Sequence, residues 1–255
     1  MNNSKCPIII AGPCVIEDPS VMFPVAEKLS QIKAEYGLTV YFKSSFYKAN
    51  RTAVNSYRGP GIQKGLQILK EIKDRYSLPI TTDIHESFQA DMVAECVDII
   101  QIPALLCRQT DLIVAAAKTQ KIVNIKKGQF MSADDMRYAV EKAAVSGAKE
   151  VYLTERGNVF GYNNLVVDFR NVTTMKSFAN RVIMDCTHSV QRPSSENGIS
   201  GGDPHYIESM ALAAKAFGAT GYFFEVHPKP KSALCDANCM LDLDKLEGII
   251  QKLLK

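Results

Sequence analysis

TVYFKSSFYKANR, residues Thr39 to Arg51, runs from an apolar β-rich segment directly into a polar loop. The apolar part, Thr39–Lys43, lacks the clean alternation of a half-exposed strand, and near-continuous apolar runs are typical of parallel strands covered on both faces. Up to residue 61 the segment contains no carboxylate, and its cationic side chains are Lys43, Lys48, Arg51 and Arg58. The segment therefore predicts a buried parallel strand whose carboxyl end meets a cationic loop.

Similar apolar segments recur along the chain, with helical patterns between them. The eight predicted strands are Pro7–Ala11, Thr39–Lys43, Pro79–Asp83, Asp98–Ile102, Ile122–Lys126, Val151–Thr154, Val182–Asp185 and Tyr222–Glu225. Eight strands alternating with helices over 255 residues match the size and rhythm of an α/β fold of the (β/α)8 TIM-barrel type. A doubly wound open sheet is the alternative, but no GxGxxG motif follows the first strand. The pattern favours the barrel.

Capping and turn residues set the helix boundaries. Asp-Pro-Ser opens one helix, with proline near its first turn, and Ser132 caps another that Gly147 ends. The helix that Asp-Pro-Ser opens is predicted over Pro19–Glu35, and further helices are predicted over Pro204–Phe217 and Leu243–Leu254. No composition shift or flexible linker divides the sequence, so we predict one domain over residues 1–255.

Composition limits the possible function classes. The net charge is only +3 and the basic residues form no long run, which argues against nucleic-acid or membrane-surface binding. No apolar run approaches the roughly 20 residues that span a bilayer, and the amino-terminal apolar stretch is too short for a signal peptide. We therefore expect a cytoplasmic protein. The seven cysteines are expected to be reduced thiols in that compartment. Cys235 and Cys239 have no second cysteine pair, so we do not expect a zinc ribbon.

In a TIM barrel the carboxyl ends of all strands converge on one face, where active sites lie. Nearly all the predicted strand ends carry chemically capable side chains: Cys14, Lys43, Asp83, His85, Gln101, Lys126, Arg156, Asp185, His188 and Glu225. A barrel without catalysis would be expected to show more Ser, Gly and Asn there. The clustering predicts an enzyme.

Positive charge dominates this predicted face. Six cationic residues fall on strand-end loops: Lys43, Lys48, Arg51, Arg108, Lys126 and Arg156. Each one alone fits a solvated surface residue, but six on one face repel one another unless an anion lies among them. Two phosphoryl groups and a carboxylate would bring about four to five negative charges. We therefore predict a ligand with more than one anionic group.

Four other residues form a possible metal site: Cys14, His188, Glu225 and Asp236. A thiolate, an imidazole and two carboxylates suit Zn, Fe(II) or Mn. The four residues lie far apart in the chain, so their spacing does not decide between a metal site and the alternative. In that alternative, Cys14 is a buried, inert thiol and His188 is an acid–base residue. A Schiff-base aldolase, with Lys43 or Lys126 as nucleophile, is a competing mechanism.

Specific motifs then occur in a characteristic order: IIIAGPCVIE, FKSSFYKANR, SYRGPG, TDIHE, IQIPALLCRQTD, NIKKGQF, TERGNVFGYNNLVVD, DCTHSVQ, SGGD and FEVHP. Together they resemble the 3-deoxy-D-manno-octulosonate 8-phosphate synthases, also named 2-dehydro-3-deoxyphosphooctonate aldolases, over nearly the whole chain. The resemblance implies a barrel enzyme, usually a homotetramer, that condenses phosphoenolpyruvate with arabinose 5-phosphate toward lipopolysaccharide.

The resemblance also implies roles for residues. Phosphoenolpyruvate would be held by Lys43, Ser45, Lys48, Lys126, Gln129 and Arg156. Arabinose 5-phosphate would be held by Asn50, Arg51, Thr52, Asp83, Gln101, Pro103, Ala104 and Arg108, with residues 50–52 reaching into a neighbouring subunit's site. Metal-dependent members carry cysteine at position 14, which implies a divalent ion on Cys14, His188, Glu225 and Asp236. Catalytic roles are implied for His188, Lys126, Asp236 and Cys14.

Some positions depart from the resemblance. Around Asp236 the chain reads LCDANCML, where Cys235 is typical of metal-independent members and Ala237 replaces a usual glycine. SGGDPHYIE lacks the arginines common after the two glycines, which bears on the loop Gln191–Asp203. The alternatives are the sister synthase that uses erythrose 4-phosphate and a phosphosugar-binding regulator without catalysis. The KANR segment favours the longer sugar, and the set Lys126, Arg156 and His188 argues for catalysis.

Overall fold

Eight parallel strands form the centre of the computed structural model, which describes residues 6–51, 55–196 and 199–255. The strands are β1 (Ile8–Gly12), β2 (Thr39–Lys43), β3 (Ile80–Asp83), β4 (Ile99–Ile102), β5 (Ile122–Lys126), β6 (Glu150–Glu155), β7 (Arg181–Asp185) and β8 (Gly221–His227). Each strand pairs in parallel with the next one along the chain. Strand β8 pairs with β1, Gly221 opposite Ile8, and closes the barrel. The (β/α)8 prediction is confirmed, and every predicted strand boundary lies within two residues of the observed one.

Eight α-helices surround the barrel in the part of the chain that the structure describes. They are α1 (Pro19–Tyr36), α2 (Ile62–Tyr76), α3 (Gln89–Ala94), α4 (Thr110–Lys118), α5 (Met136–Val145), α6 (Arg170–Met175), α7 (Ile207–Ala216) and α8 (Leu243–Leu254). Asp18 caps α1 by accepting a hydrogen bond from the backbone N–H of Ser20, and Gly37 ends it at a φ of 62°. Helix α7 begins three residues later than predicted because Pro204–Tyr206 forms a 3₁₀ turn. Among the described residues, no helix is both long and apolar enough to cross a membrane.

Short strands outside the barrel shape its carboxyl-terminal face. Asn158–Val159 pairs with Leu165–Val166, and Gln191–Glu196 pairs with Ile199–Gly202 in an antiparallel arrangement. The loop expected at Gln191–Asp203 is therefore mostly a hairpin, with Gln191 opposite Gly202 at its base. Leu241–Asp242 adds a short parallel pairing to the end of β8.

Two apolar layers stabilise the fold. The larger one lies between the barrel and its helices and includes Val40, Phe42 and Phe224. The smaller one fills the barrel interior: Ile8, Ile10, Tyr41, Ile99, Ile122, Tyr152, Ile183 and Phe223. Successive side chains of a strand point to opposite faces. The alternation between Phe42 outside and Tyr41 inside therefore determines which strand residues reach the interior.

Candidate active site

On several barrel strands, a polar or charged residue lies two positions after a residue of the interior core. Tyr41 of β2 packs inside the barrel, so Lys43 also faces the interior at the carboxyl end of the strand. Phe223 is followed by Glu225 in the same way on β8. Further pairs of this kind are Ile99 with Gln101, Ile122 with Asn124, Tyr152 with Thr154, and Ile183 with Asp185, and Lys126 follows Asn124 by another two positions. The alternation that buries the apolar core thus places the polar groups above it.

A cavity of about 780 Å³ lies among these side chains, which is within the usual range for small-molecule sites. Its charged wall consists of Lys43, Lys48, Arg51, Lys126, Arg156, Asp83, Glu225 and Asp236. The predicted residues Asn50, Gln101, Pro103, Ala104, Gln129 and His188 also line it. The carboxylates offset much of the repulsion expected among the cations, yet positive charge remains in excess on the wall.

One carboxylate, that of Glu225, holds two of the lysines. Lys43 Nζ donates to Glu225 Oε1 at 3.1 Å, and Lys48 Nζ lies 4.0 Å from the same oxygen. Lys43 also donates to Ser45 Oγ at 3.2 Å and to the carbonyl oxygen of Cys14 at 3.3 Å. Although burial opposes ionisation, His188 and the lysines lower the pKa of Glu225. Glu225 Oε2 remains directed toward His188 Nε2, 3.4 Å away.

Asp185 organises the floor of the cavity. Its Oδ1 accepts backbone hydrogen bonds from Thr187 and His188, while Oδ2 lies 2.6 Å from Lys126 Nζ and 2.7 Å from His188 Nδ1. Burial lowers the pKa of Lys126, an effect that Asp185 only partly offsets. Burial would raise the pKa of Asp185, but the charges of His188 and Lys126 hold it well below the usual range.

Asp83 anchors the side of the cavity that the resemblance assigns to the sugar. Ser45 Oγ donates to Asp83 Oδ1, and His85 Nε2 lies 3.1 Å from Asp83 Oδ2. Against the opposing effect of burial, His85 and the two lysines Lys43 and Lys48 hold the pKa of Asp83 well below its usual value. Ser45 is therefore buried behind Lys43 and Asp83, and it is not among the lining residues.

A chain of polar contacts links Arg156 to Asp236. The backbone N–H groups of Arg156 and Gly157 donate to Glu155 Oε1, which fixes this strand end. Arg156 NH2 donates to Gln191 Oε1 at 2.9 Å, and Gln191 Nε2 lies 3.3 Å from Asp236 Oδ1. The hairpin base at Gln191 thus connects the predicted phosphoenolpyruvate residue Arg156 with a predicted metal ligand.

The four predicted metal ligands, although distant in sequence, fall into two donor groups that share Asp236. His188, Glu225 and Asp236 offer donor atoms within 4.8 Å of one another, and Cys14, Cys235 and Asp236 do the same. Cys14 Sγ lies 3.0 Å from Asp236 Oδ2. Burial raises the pKa of Cys14 well above its usual value, and Cys235 and Glu225 add to the effect.

This donor set fits a divalent ion. Two ligands at about 2.1 Å from a tetrahedral ion lie about 3.4 Å apart, which matches the distance between His188 Nε2 and Glu225 Oε2. Metal-bound histidines usually donate their other ring nitrogen to a carboxylate, and His188 Nδ1 is placed against Asp185 in that way. The thiol, imidazole and carboxylates suit Zn, Fe(II) or Mn.

Several predicted site residues differ from the others in their placement or description. Cys14 is fully buried beneath the cavity wall, where it contacts Asp236. Arg108 is exposed and is not among the residues that line the cavity. Thr52 lies outside the described residues. Asn50 and Arg51 line the cavity of their own chain rather than reaching into a neighbouring subunit's site as the resemblance implied, and Arg51 Nη1 lies 2.7 Å from Cys235 Sγ.

Other lining residues were not predicted as site members from the sequence: Ala49, Ser56, Leu105, Leu106, Gln191, Pro193 and Cys235. Leu105 and Leu106 follow Pro103 in a 3₁₀ turn after β4, so their proximity to a strand end was a usable signal. Gln191 and Cys235 reach the cavity through the hairpin and the loop after β8, and no strand periodicity places them there.

Comparison with known proteins identifies the family. The family model described as the DAHP synthetase I family matches residues 2–255. The chain belongs to the DAHP synthetase I family.

Curated relatives narrow the relationship within this family. A 2-dehydro-3-deoxyphosphooctonate aldolase from Campylobacter jejuni subsp. jejuni serotype O:23/36 (strain 81-176) is 51% identical over 259 residues, covering 97% of this chain and 95% of the relative. The protein of the same name from Helicobacter pylori (strain P12) is 51% identical over 269 residues, covering 100% and 97%. That from Helicobacter hepaticus is 50% identical over 257 residues, covering 96% and 95%. These relatives confirm the resemblance found in the sequence motifs.

Proposed function

We propose that the chain condenses phosphoenolpyruvate with D-arabinose 5-phosphate and water, giving 3-deoxy-D-manno-octulosonate 8-phosphate and inorganic phosphate for lipopolysaccharide precursor biosynthesis. The observation that carries this proposal is the full-length identity of about half with relatives named 2-dehydro-3-deoxyphosphooctonate aldolase. The cavity supports it, because five Lys and Arg side chains on one wall suit two phosphorylated substrates.

The phosphoenolpyruvate end of the cavity would be formed by Lys43, Lys48, Lys126, Gln129 and Arg156. Lys126 Nζ lies 4.0 Å from the centre of the Phe223 ring and is buried among charged groups. Its distance of 2.6 Å from Asp185 fixes the ammonium before any substrate arrives. Preorganised charge of this kind stabilises charge that develops during reaction without further reorganisation.

The sugar end would be formed by Asn50, Arg51, Asp83, Gln101 and Pro103 with Ala104. Asn124 Nδ2 donates to Gln101 Oε1 at 3.4 Å and holds that amide. Asp83 is held ionised by His85, Lys43 and Lys48, so it can accept hydrogen bonds from sugar hydroxyls. The protein mainly has to hold two mutually repelling anions with their reacting carbons adjacent, which can be worth about 7–11 kcal/mol of barrier.

The reaction balances without an external oxidant or reductant. C3 of phosphoenolpyruvate attacks the aldehyde carbon, water adds to C2, and cleavage of the C2–O bond releases phosphate. The attacking water loses two protons: one balances the proton gained by the aldehyde oxygen, and the other balances the proton gained by the departing phosphate as the C2 hydroxyl becomes the ketone. A divalent ion on Cys14, His188, Glu225 and Asp236 would supply Lewis acidity to the aldehyde oxygen or to the water. Around it, Asp185 holds His188 Nδ1 so that Nε2 faces the cavity.

We also propose a cytoplasmic homotetramer. The support for an assembly is the exposed position of Arg108, away from the cavity of its own chain, since the resemblance assigns this residue to a sugar-phosphate site. Light scattering coupled to size-exclusion chromatography would test the assembly, and a monomeric, fully active enzyme would contradict it.

A Schiff-base aldolase is the competing chemistry. It is favoured by one observation, that burial lowers the pKa of Lys126, because a nucleophilic lysine must be deprotonated. Borohydride reduction in the presence of substrate, followed by intact-mass measurement, would reveal an adduct on the chain. We expect no adduct, because the 2.6 Å contact between Lys126 and Asp185 favours the ammonium.

The experiment that tests the proposed reaction is phosphate release from phosphoenolpyruvate with each of two aldehydes. We expect release with arabinose 5-phosphate, loss after dipicolinate treatment, and recovery when manganese or zinc is added. Release with erythrose 4-phosphate alone would overturn the proposal in favour of the sister synthase. Binding of both substrates without release, at any metal tested, would support a regulator instead.

A further inference from the structure

The loop after β8 brings a second thiol into the predicted metal site. Cys14 Sγ and Cys235 Sγ lie 2.9 Å apart. Asp236 Oδ2 lies 3.0 Å from the first sulfur and 3.1 Å from the second. The side chains of Cys14 and Cys235 are both buried. Three donor atoms therefore form a compact triangle, and Asp236 also belongs to the group that contains His188 and Glu225. Two thiolates at about 2.3 Å from a tetrahedral ion lie about 3.8 Å apart, so binding of an ion by both sulfurs would move them apart from their present separation.

The backbone of this loop makes neighbouring side chains converge. Asp236 has a φ of 49°, a left-handed conformation that is uncommon for residues other than glycine. Neighbours in an extended chain point in opposite directions, whereas Cys235 Sγ and Asp236 Oδ2 are only 3.1 Å apart. Glu17 Oε1 accepts a hydrogen bond from the backbone N–H of Leu234, and Cys239 N–H donates to the Asp236 carbonyl. The loop is therefore fixed on both sides of the two donors.

The charges around Cys235 suit a metal-bound sulfur. Two thiolates and two carboxylates would carry more negative charge than a divalent ion neutralises, so such a site needs cations beside it. Arg51 NH1 lies 2.7 Å from Cys235 Sγ, and Lys48 Nζ lies 4.0 Å from Glu225. Hydrogen bonds from outer groups to metal ligands orient those ligands and tune the metal.

We propose that Cys235 is a second thiolate ligand of the divalent ion, beside Cys14. The inference rests on the proposed metal site and concerns which atoms complete it and which metals it selects. Soft thiolate ligands favour zinc and disfavour manganese, which suits oxygen ligands. The second sulfur therefore gives this chain a stronger preference for zinc over manganese than a site with Cys14 alone.

Cobalt(II) provides a readout that does not depend on activity, because thiolate-to-cobalt charge transfer absorbs in the near ultraviolet in proportion to the number of bound sulfurs. The full-length protein would be stripped of metal and titrated with cobalt(II). We expect Cys235→Ser and Cys14→Ser each to lose about half of this absorption and the double variant to lose all of it. In competition with dipicolinate, Cys235→Ser should also shift the zinc-to-manganese affinity ratio toward manganese by roughly tenfold or more.

Cys239→Ser is the matched control. Cys239 is a buried thiol on the same loop, its Sγ contacts the Asp236 carbonyl, and it belongs to neither donor group. Its variant should keep the full absorption, with circular dichroism confirming that all variants fold. Full absorption in Cys235→Ser, or an equal loss in Cys239→Ser, would overturn the proposal.

The same titration separates this inference from the proposed function. If the wild-type protein binds no cobalt yet releases phosphate from the two substrates, the metal site fails and the synthase stands. If absorption depends on Cys14 but not on Cys235, the metal site stands and only the second thiolate fails.

Discussion

Lys126 Nζ lies 2.6 Å from Asp185 Oδ2 at the floor of the barrel cavity. The same oxygen lies 2.7 Å from His188 Nδ1, so one buried carboxylate positions a substrate-binding cation and an imidazole together. The alternation of β7 explains the placement, because Ile183 packs in the interior core two residues before Asp185.

Asp185→Asn should therefore reduce catalysis without removing any proposed ligand. The amide keeps the shape of the side chain but loses the charge that fixes Lys126 and His188. We expect phosphate release and metal affinity to fall by roughly 10- to 100-fold, as is typical when the partner of a metal-bound histidine is changed. Steady-state kinetics and a chelator competition measure the two effects.

Asp168→Asn is the control for this prediction, because Asp168 forms an exposed ion pair with Arg170. Wild-type kinetics in Asp185→Asn would contradict the role assigned to Asp185.

Arg51→Ala should mainly weaken the use of the sugar phosphate. A hydrogen bond to a charged group contributes about 1.5–3 kcal/mol, so the apparent KM for arabinose 5-phosphate should rise by roughly 10- to 100-fold. The KM for phosphoenolpyruvate should change little when both are measured at saturating metal.

Arg58→Ala is the control for that loop. Arg58 stacks over Tyr47 and donates to the Lys48 carbonyl, and it does not line the cavity. An Arg51→Ala variant in which only phosphoenolpyruvate binding suffered would show that the loop serves the other substrate.

Much of the barrel could be predicted from the sequence because strand periodicity and burial act locally. The apolar segments at Thr39–Lys43 and Ile122–Lys126 were predicted with their observed boundaries. Since side chains alternate along a strand, an interior core residue followed by a polar residue two positions later marks the cavity. Lys43 and Glu225 were predicted as site residues because each ends a predicted strand.

The cavity residues that could not be predicted from the sequence lie in loops. Cys235 and Gln191 enter the cavity through the left-handed turn at Asp236 and the base of the 191–202 hairpin. Neither geometry follows from apolar periodicity. Strand alternation, by contrast, separates Lys126 from Lys127, because Lys126 lies on the same side of β5 as the interior residue Ile122. Lys126 lines the cavity, and Lys127 is buried against Glu155.

Lys127→Met should destabilise the fold rather than alter substrate binding directly. Lys127 is fully buried, lies 3.4 Å from Glu155 Oε1 and donates to Asn158 Oδ1. Removing one partner of a buried ion pair costs about 3–5 kcal/mol, because Glu155 would stay buried and charged without its counter-ion. Urea unfolding followed by circular dichroism measures the change.

Two further variants test this explanation for Lys127. Lys252→Met removes the exposed pair with Glu208 and should cost no more than about 1 kcal/mol. Lys127→Met combined with Glu155→Gln should recover part of the lost stability, since the uncompensated charge is gone. Equal destabilisation by Lys127→Met and Lys252→Met would contradict the buried-pair argument.

Cys14→Asn tests whether the fully buried thiol serves the ion or only fills space. Cys14 contacts Asp236 and Cys235, so an amide there removes a sulfur donor beside Asp236, the residue that the two donor groups share. We expect phosphate release by the variant to be either absent or indifferent to dipicolinate and added metal, whereas the wild-type enzyme should lose activity to the chelator and recover it with manganese or zinc. Cys107→Ser is the control, because Cys107 is a buried thiol outside both donor groups. Metal-stimulated release that survives Cys14→Asn at the wild-type metal concentration would show that Cys14 is a packing residue and that the ion is held by the remaining donors.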